Sequence, residues 1–224
     1  MRTPHRGDTV TWSARRADRP VKRRRPTHLT VYPKGIFCLE NEWFGLRSSV
    51  SVLPALRLLH DSDYRVPCIH RDVATRAELE HYLRKWLMER HADYEILWLA
   101  VHTRKGLLLP GDVRRHDEKM DLDQLETALA GRCAGRIVHF GGCRTLLLPR
   151  ARIQRFLRVT RAISVSGFLT EVDWTESTLF EVSLMLELQK HPATRRGMQT
   201  VARTMRRMRP VESRKAGFVM HVRA

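Results

Sequence analysis

Short apolar runs alternate along the chain with segments in which apolar residues recur at helical spacing. Each run ends at polar or turn residues and is too short for a helix, which is typical of a strand buried in a sheet. Pro67 interrupts the second run and favours a position at the start of the strand or at the edge of the sheet. The predicted strands cover 35–39, 64–70, 96–101, 135–140 and 162–166, with a shorter return strand at 107–109.

The segments between these runs predict helices that are apolar on one side. The clearest is 75–90, where Thr75 followed by Glu78 forms a capping box at the first turn. Asp121 and Gln124 repeat this arrangement at a later helix. The predicted helices cover 49–60, 75–90, 121–129, 149–159 and 176–189.

This alternation of strands and helices indicates an α/β fold. Parallel strands need crossover connections, and the helices in those connections cover both faces of the sheet. We therefore expect a three-layer sandwich around a mainly parallel sheet. In such sheets the functional groups lie beyond the carboxyl ends of the strands.

The excess of positive charge is concentrated at the two ends of the chain. The sequence has 41 Lys and Arg against 24 Asp and Glu, a net charge of +17. Nine basic and two acidic side chains lie in 1–28, and nine basic and one acidic lie in 191–224. We therefore divide the chain into a basic disordered arm (1–28), a folded domain (29–190) and a basic amphipathic tail (191–224).

The tail carries a helical pattern of its own. Met198, Val201, Met205 and Met208 recur at helical spacing among six arginines. Such a helix suits an anionic membrane surface, a nucleic acid or a groove on a partner protein. The same methionine face equally suits a helix that packs on the core. No aromatic residues interleave with the arginines, so base stacking is unsupported.

The sequence also excludes some classes of protein. No apolar run approaches the ~20 residues needed to span a bilayer, and the first residues lack the apolar core of a secretory signal. The four cysteines show neither a C-x-x-C pair nor zinc-ligand spacing. We therefore expect a cytoplasmic protein with reduced thiols, no metal and no cofactor. Cys38, Cys68 and Cys133 are expected to pack in the core or at helix ends.

Two strand ends carry residues suited to covalent catalysis. His102 closes the strand 96–101, and Gly141, Gly142 and Cys143 follow the strand 135–140. If these strands are neighbours, the imidazole and the thiol leave the same edge of the sheet about 5 Å apart. A histidine that takes the thiol proton produces a nucleophilic thiolate. The backbone N–H groups at Gly141 and Gly142, together with that of Cys143, would then stabilise an oxyanion.

The motifs ILWLAVHTRKG (96–106) and RIVHFGGCRT (136–145) resemble those of the caspase-like, clan CD, cysteine peptidases, and bacterial CHAT-type domains are the most similar group. The resemblance covers about 29–190 in strand order. It implies a caspase–haemoglobinase fold, with His102 as the base and Cys143 as the nucleophile. It also suggests a role in a bacterial regulatory or defence system, under the control of a partner protein. The chain departs from the family pattern because Thr103, Arg104 and Lys105 separate His102 from Gly106.

Four carboxylates are candidates for binding the substrate. Glu40 and Glu42 follow the first strand, and Glu171 and Asp173 follow the fifth. In the resembled family, these loops help to form the pocket for the residue before the scissile bond. An acidic pocket would favour Arg or Lys there. Solvated loop charges are the alternative, and Asp173 would equally cap the helix that follows it.

Two further histidines lie near the predicted strand ends. His139 is a rival base, four residues before Cys143, but it lies within a strand and is expected in the core or against a helix. His70 ends the second predicted strand and is a weaker candidate for the wall of a cleft.

These observations favour a cysteine endopeptidase that acts on a peptide or protein substrate, with a preference for Arg or Lys before the cleaved bond. One alternative is a caspase-like docking module without activity. Another is a protein that binds nucleic acid or an anionic surface through its basic ends, although no helix-turn-helix or zinc-finger signature supports it.

Overall fold

The computed structural model describes residues 10–12 and 31–224, and a seven-stranded sheet lies at its centre. In chain order the strands are β1 (Val10–Trp12), β2 (Ile36–Glu40), β3 (Cys68–Asp72), β4 (Ile96–Ala100), β5 (Thr103–Arg104), β6 (Leu107–Leu108), β7 (Met120–Asp121), β8 (Ile137–Phe140), β9 (Ser164–Phe168) and β10 (Phe218–Val222). The order across the large sheet is β1-β3-β2-β4-β8-β9-β10, and β5, β6 and β7 form a small separate sheet.

The five inner strands of the large sheet are parallel, and the two outer strands run antiparallel to their neighbours. The helices are α1 (Leu53–Asp61), α2 (Arg76–Trp86), α3 (Leu122–Leu129), α4 (Arg150–Thr160), α5 (Trp174–Gln189), α6 (Arg195–Met208) and α7 (Pro210–Lys215), with a 3-10 turn at Glu89–His91. The predicted α/β architecture with a mainly parallel sheet is therefore confirmed.

Two hydrophobic cores lie on opposite faces of the sheet. Side chains from α2, α3 and α4 pack on one face, and side chains from α1, α5 and α6 pack on the other. Successive residues of a buried strand serve the two cores in turn: Leu97 and Leu99 of β4 face the first core, and Ile96 and Trp98 face the second. This alternation explains why the inner strands are continuous apolar runs.

The capping boxes predicted from the sequence are both present. Thr75 accepts a hydrogen bond from the backbone N–H of Glu78, and Asp121 accepts one from that of Gln124. In both cases the side chain three residues on also bonds back to the N–H of the capping residue.

One strand is displaced from its predicted position. The second strand was expected at 64–70, but β3 begins at Cys68 and runs to Asp72. Pro67 has no N–H to donate to a ladder, and its carbonyl accepts a bond from the backbone N–H of Ile36 as the strands begin to pair. Arg65 has a positive φ of 49°, which places a turn just before this point.

Residues 191–224 belong to the fold and do not form a separate tail. α6 buries Met198, Val201 and Met205 against the second core, and Met208 stays exposed. This is the core-packed helix that was considered as the alternative to a binding helix. β10 then adds to the sheet beside β9. The basic residues of this segment are therefore presented on the surface of the domain itself.

Most of the predicted arm, 1–28, lies outside the described residues. Within it, β1 pairs antiparallel with β3. In the part of the chain that the structure describes, no helix has both the length and the apolar character needed to cross a membrane.

Candidate functional site

A small cavity opens at the carboxyl ends of two central strands, β4 and β8. These strands are parallel neighbours, with Leu99 beside Phe140, so the chain leaves both at one edge of the sheet. His102 and Cys143 both line the cavity, as expected for strands in this order. Its volume is about 110 Å³, and the other lining residues are Trp43, Phe44, Val52, Ala100, Gly141, Gly142, Val172, Trp174, Ser177, Thr178 and Glu181.

His102 is oriented by the segment that follows β2. Its backbone N–H donates to Oδ1 of Asn41 at 3.0 Å, and its ring Nε2 lies 2.9 Å from the carbonyl oxygen of Trp43. Because a carbonyl only accepts, Nε2 carries a proton, and Nδ1 of the neutral ring keeps its lone pair. The Trp43 ring packs against the imidazole with centroids 5.0 Å apart. The tautomer is therefore the one that leaves Nδ1 able to accept a proton.

Cys143 is the half-buried thiol of the chain. Its sulfur accepts the backbone N–H of Val172 at 3.5 Å and lies 3.9 Å from the carbonyl oxygen of the same residue. Among the described residues, no hydrogen bond joins Cys143 to His102. The thiol thus faces the loop after β9, across the cavity that it shares with the imidazole.

The other three cysteines are buried, as predicted. Burial raises the pKa of the Cys68 thiol to about 12. It raises the pKa of Cys133 to about 12 as well, and that of Cys38 well above its ordinary value. A thiol is reactive as its thiolate, so these three are poor nucleophiles.

The two glycines before Cys143 are required by close packing. A Cβ at Gly142 would collide with Oγ1 of Thr103 and the carbonyl of Val101, and one at Gly141 would lie 2.7 Å from Oε1 of Glu181. The N–H of Gly141 donates to the Leu99 carbonyl, so it is not available to an oxyanion. Among the described residues, the N–H groups of Gly142 and of Cys143 have no acceptor.

The three residues after His102, which depart from the family pattern, begin the small second sheet. Thr103 pairs with Leu108 across a tight turn, where Gly106 has a φ of 67°. Oγ1 of Thr103 donates to the carbonyl of Cys143 at 2.6 Å and accepts the hydroxyl of Thr145 at 2.7 Å. The insertion therefore joins the His102 strand end directly to the Cys143 loop.

Glu40, predicted to bind substrate, is a buried structural group. Its Oε1 accepts from Nε1 of Trp43 at 2.6 Å and from the N–H of Val52 at 2.8 Å. Its Oε2 accepts from the hydroxyl of Ser51 at 2.7 Å and lies 2.7 Å from Nε2 of His70. The carboxylate is therefore satisfied inside the protein and does not line the cavity, and His70, the weaker candidate for a cleft wall, is buried with it.

Glu40, His70 and Asp72 also form the one described group with the composition of a metal site. Their ligand atoms lie within 4.8 Å of one another. Each oxygen of Glu40 already has two partners, so a cation would have to displace the bonds that fix the loop after β2. This cluster is better explained as a structural hydrogen-bond network.

The remaining predicted carboxylates lie outside the Cys143 cavity. Glu42 is exposed on the loop after β2. Glu171 forms an ion pair with Arg144 at 3.2 Å, and Asp173 caps α5 by accepting the N–H of Glu176 at 2.9 Å. The capping alternative considered for Asp173 is thus what the structure shows.

Glu171 and Asp173 nevertheless line a second hollow beside the cavity. This hollow has a volume of about 90 Å³ and shares Val172 and Ser177 with the wall of the Cys143 cavity. Glu176, Glu212 and Lys215 also line it, and Lys215 is paired with Glu176 at 2.6 Å. The lining of the hollow thus has four carboxylates against one lysine, and Arg144 and Arg209, which do not line it, pair with Glu171 and Glu212.

A buried histidine–carboxylate pair lies behind the cavity. His139, the rival base, is fully buried, with Nε2 at 2.8 Å from Oε1 of Glu181 and Nδ1 at 2.9 Å from Oγ of Ser166. It packs against α5, as expected. Burial raises the pKa of the Glu181 carboxyl, and the hydrogen bond from His139 opposes this shift.

Among the titratable residues that line the cavity, Glu181 is the one that the sequence analysis did not single out. The signal was an acidic residue between Phe180 and Val182 in a helix that is apolar on most sides. A lone carboxylate in such a setting is buried only when it has a partner.

Comparison with known proteins gives one family. A search of curated proteins finds no match. A model of a family of unknown function, DUF6642, matches residues 33–206 and so extends over the sheet and its helices from β2 to most of α6. Because that match covers most of the chain, the protein belongs to the DUF6642 family.

Proposed function

We propose that this chain is a cysteine endopeptidase in which Cys143 is the nucleophile and His102 the general base. The observation that carries the proposal is that both side chains line one cavity at the carboxyl ends of adjacent parallel strands. The resemblance of the two strand-end motifs to caspase-like, CHAT-type peptidases supports the same assignment.

The proposed reaction starts from the tautomer of His102. Nε2–H is held by the Trp43 carbonyl, so Nδ1 takes the proton from the thiol of Cys143. The thiolate attacks the peptide carbonyl carbon, and the amine leaves with the proton returned by the imidazole. Water then attacks the thioester, giving the carboxylic acid and the free thiol.

The free N–H groups of Gly142 and Cys143 are the proposed donors to the oxyanion. Of the three N–H groups expected from the sequence, that of Gly141 is excluded because it donates to the Leu99 carbonyl.

Catalysis by this pair requires the sulfur to leave its contact with Val172. Hydrogen bonds between catalytic groups are often loose before substrate binds and tighten in the complex. The N–H that binds the sulfur belongs to the loop between the cavity and the acidic hollow. A substrate seated at that loop would compete for this N–H and release the thiol towards His102.

A preference for Arg or Lys before the scissile bond is part of the proposal. Its support is the acidic hollow, where Glu171 and Asp173 lie next to the cavity wall at Val172. A guanidinium or ammonium group in the hollow would be attracted by these carboxylates. The resemblance adds a regulatory or defence system with a controlling partner as the proposed setting.

The test is a peptidase assay on a fluorogenic peptide library that varies the residue before the cleaved bond. Wild type is expected to cleave after Arg or Lys, whereas Cys143→Ala and His102→Ala are expected to lose at least about a thousandfold in kcat/KM. His116→Ala, at an exposed histidine that does not line the cavity, is the matched control. Cleavage after acidic residues would contradict the preference for Arg or Lys. Activity of Cys143→Ala equal to that of wild type would show that Cys143 is not the nucleophile.

A docking module without activity is the second candidate, and one observation favours it. The sulfur of Cys143 accepts a hydrogen bond from the backbone N–H of Val172 and has none with the imidazole of His102. If no peptide is cut and the thiol of Cys143 reacts no faster than a free cysteine, this second function is the better one.

A further inference from the structure

A groove lined by four arginines, none of them ion-paired among the described residues, runs along β10, the outermost strand on that side of the sheet. It lies between α4 and α6 and has a volume of about 740 Å³. Arg150 projects from α4, and Arg195, Arg203 and Arg206 project from α6. No acidic residue lines it; the other lining residues are Gln154, Gln199, Ala202, Val219, Met220, His221, Val222 and Ala224.

The four arginines differ from the described arginines that are held in ion pairs. Among the described residues, no carboxylate lies within 4.0 Å of any of them, whereas Arg76, Arg115, Arg144 and Arg152 are each ion-paired. His221 on β10 responds to the same charge: burial lowers its pKa first, and the nearby Arg150 and Arg206 lower it further. The groove thus concentrates arginines that have no side-chain carboxylate among the described residues as a partner.

The floor of the groove is an open strand edge. In an antiparallel pair, alternate residues point both backbone groups at the partner strand. The N–H of Leu169 donates to Gly217, and the N–H of Arg223 donates to Ile163, so odd-numbered residues of β10 face β9. Phe218, Met220 and Val222 therefore point their backbone groups away from the sheet, and Met220 and Val222 line the groove.

The side-chain amide of Gln154 is hydrogen-bonded to one end of this edge. Its side-chain Nε2 donates to the Val222 carbonyl at 3.1 Å, and its Oε1 accepts the N–H of Ala224 at 3.3 Å. One residue of an adjacent parallel strand would make the same two bonds through its own N–H and carbonyl. The glutamine amide thus occupies the end of an edge whose next positions, at Met220 and Phe218, are open to a further strand.

We propose that the β10 groove binds an extended, acidic segment of another protein, which adds to the sheet as a further strand beside β10. Main-chain bonds to the edge would provide affinity, and alternate side chains would face α6 and α4 in turn. Carboxylates at every second position would meet Arg195, Arg203 and Arg206, while the side chains between them pack beside Arg150 and the apolar floor.

The charges argue against two other occupants. A second copy that paired its own β10 edge would bring two sets of unpaired arginines together. The N-terminal 28 residues of this chain carry nine basic and two acidic side chains and would be repelled as well. A nucleic acid would satisfy the arginines but not the backbone groups of the edge, and no Trp, Tyr or Phe lines the groove for base stacking.

The test is fluorescence anisotropy with the full chain and a labelled hexapeptide of alternating valine and glutamate. Wild type is expected to bind it, and Arg203→Gln combined with Arg206→Gln is expected to weaken binding about tenfold. Arg196→Gln combined with Arg207→Gln is the matched control, because it makes the same charge change on α6 outside the groove. The control pair should bind within about twofold of wild type.

The strand-addition geometry is tested on the wild-type protein with a second peptide. N-methylation of every second amide removes the donors that would pair with β10, and it should weaken binding at least about tenfold if those amides face the edge. Methylation of the other amides should have less effect. Equal binding of the parent and both methylated peptides, or an equal loss in both arginine pairs, would overturn the proposal.

Two further outcomes would give the groove to another occupant. Oligothymidylate that binds more tightly than the hexapeptide and displaces it would make the groove a nucleic-acid site. Self-association of the protein alone, abolished by the Arg203 and Arg206 changes, would make it an interface between copies. Either result would also overturn strand addition by an acidic segment.

Discussion

Two histidines lie near the ends of adjacent strands, and their surroundings assign them different roles. His102 follows β4 and is half-buried beside a cavity, with one ring nitrogen held by a backbone carbonyl. His139 lies inside β8, is fully buried, and has partners at both ring nitrogens. A histidine needs a free nitrogen and access to substrate to act as a base. Both histidines were candidate bases because they lie near Cys143 or its neighbouring strand end in the sequence. Their different burial leaves His102 as the candidate.

The difference between the two histidines is tested most directly by replacing each with alanine and measuring the free energy of unfolding. His139→Ala leaves Glu181 buried without its partner, so we expect the free energy of unfolding to fall by about 3–5 kcal/mol. His102→Ala should cost less than about 1 kcal/mol, since its ring is half-exposed. Urea denaturation followed by circular dichroism measures both. Similar losses in the two variants would show that His102 is structural too.

Thiol reactivity extends the comparison to the cysteines. At pH 8, Cys143 should react with iodoacetamide at least about a hundred times faster than Cys68 or Cys133, because burial raises the pKa of those two to about 12 and keeps reagent away. Peptide mapping by mass spectrometry gives the rate at each site. If Cys143 reacts as slowly as the other cysteines in the folded protein, and all four are labelled only after denaturation, the cavity is closed to the reagent.

The hydroxyl of Thr103 tests how the His102 and Cys143 segments are joined. Thr103→Val removes a donor to the Cys143 carbonyl and the acceptor for Thr145, and we expect a loss of about 2 kcal/mol in unfolding free energy. Thr103→Ser keeps the hydroxyl and is the matched control, with a smaller loss. If Thr103→Val is as stable as wild type while Thr103→Ser is not, methyl packing and not the hydrogen bonds holds the segments together.

The smallest expected effect is a pH dependence from Glu181. Burial raises the pKa of this carboxyl, so its protonation favours the folded state. That contribution is present below the ordinary pKa and is lost as the pH rises through the raised value, with a slope of at most about 1.4 kcal/mol per pH unit. Glu181→Gln should flatten the curve of unfolding free energy against pH above 4.5 relative to wild type. An unchanged curve would mean that His139 compensates for the carboxylate at every pH.

Much of the fold was predictable because its signals are local. The capping boxes at Thr75 and Asp121 and the apolar runs of the inner strands depend on residues close together in the chain. β10 was missed because it lies at an edge, where only Phe218 and Met220 are buried and the sequence shows no long apolar run.

The site was predictable only in part, because long-range partners decide what a polar residue does. His102 and Cys143 were expected to meet only if their strands were neighbours, and β4 and β8 do pair side by side. Glu40 was expected in a binding pocket, but its donors come from the loop after β2 and from His70, thirty residues away. No local pattern marks a carboxylate that will be buried by such partners.

Gly142 packs so closely against Thr103 and Val101 that the two segments behind the cavity form one stiff wall. The opposite wall is different, since Phe44 is 64% exposed on a loop and Trp174 begins a helix. Divergence among members of the family should therefore change which ligands fit by remodelling that outer wall. Substitutions at Gly142 and its neighbours would more often lower the stability of the protein than change the ligand that it binds.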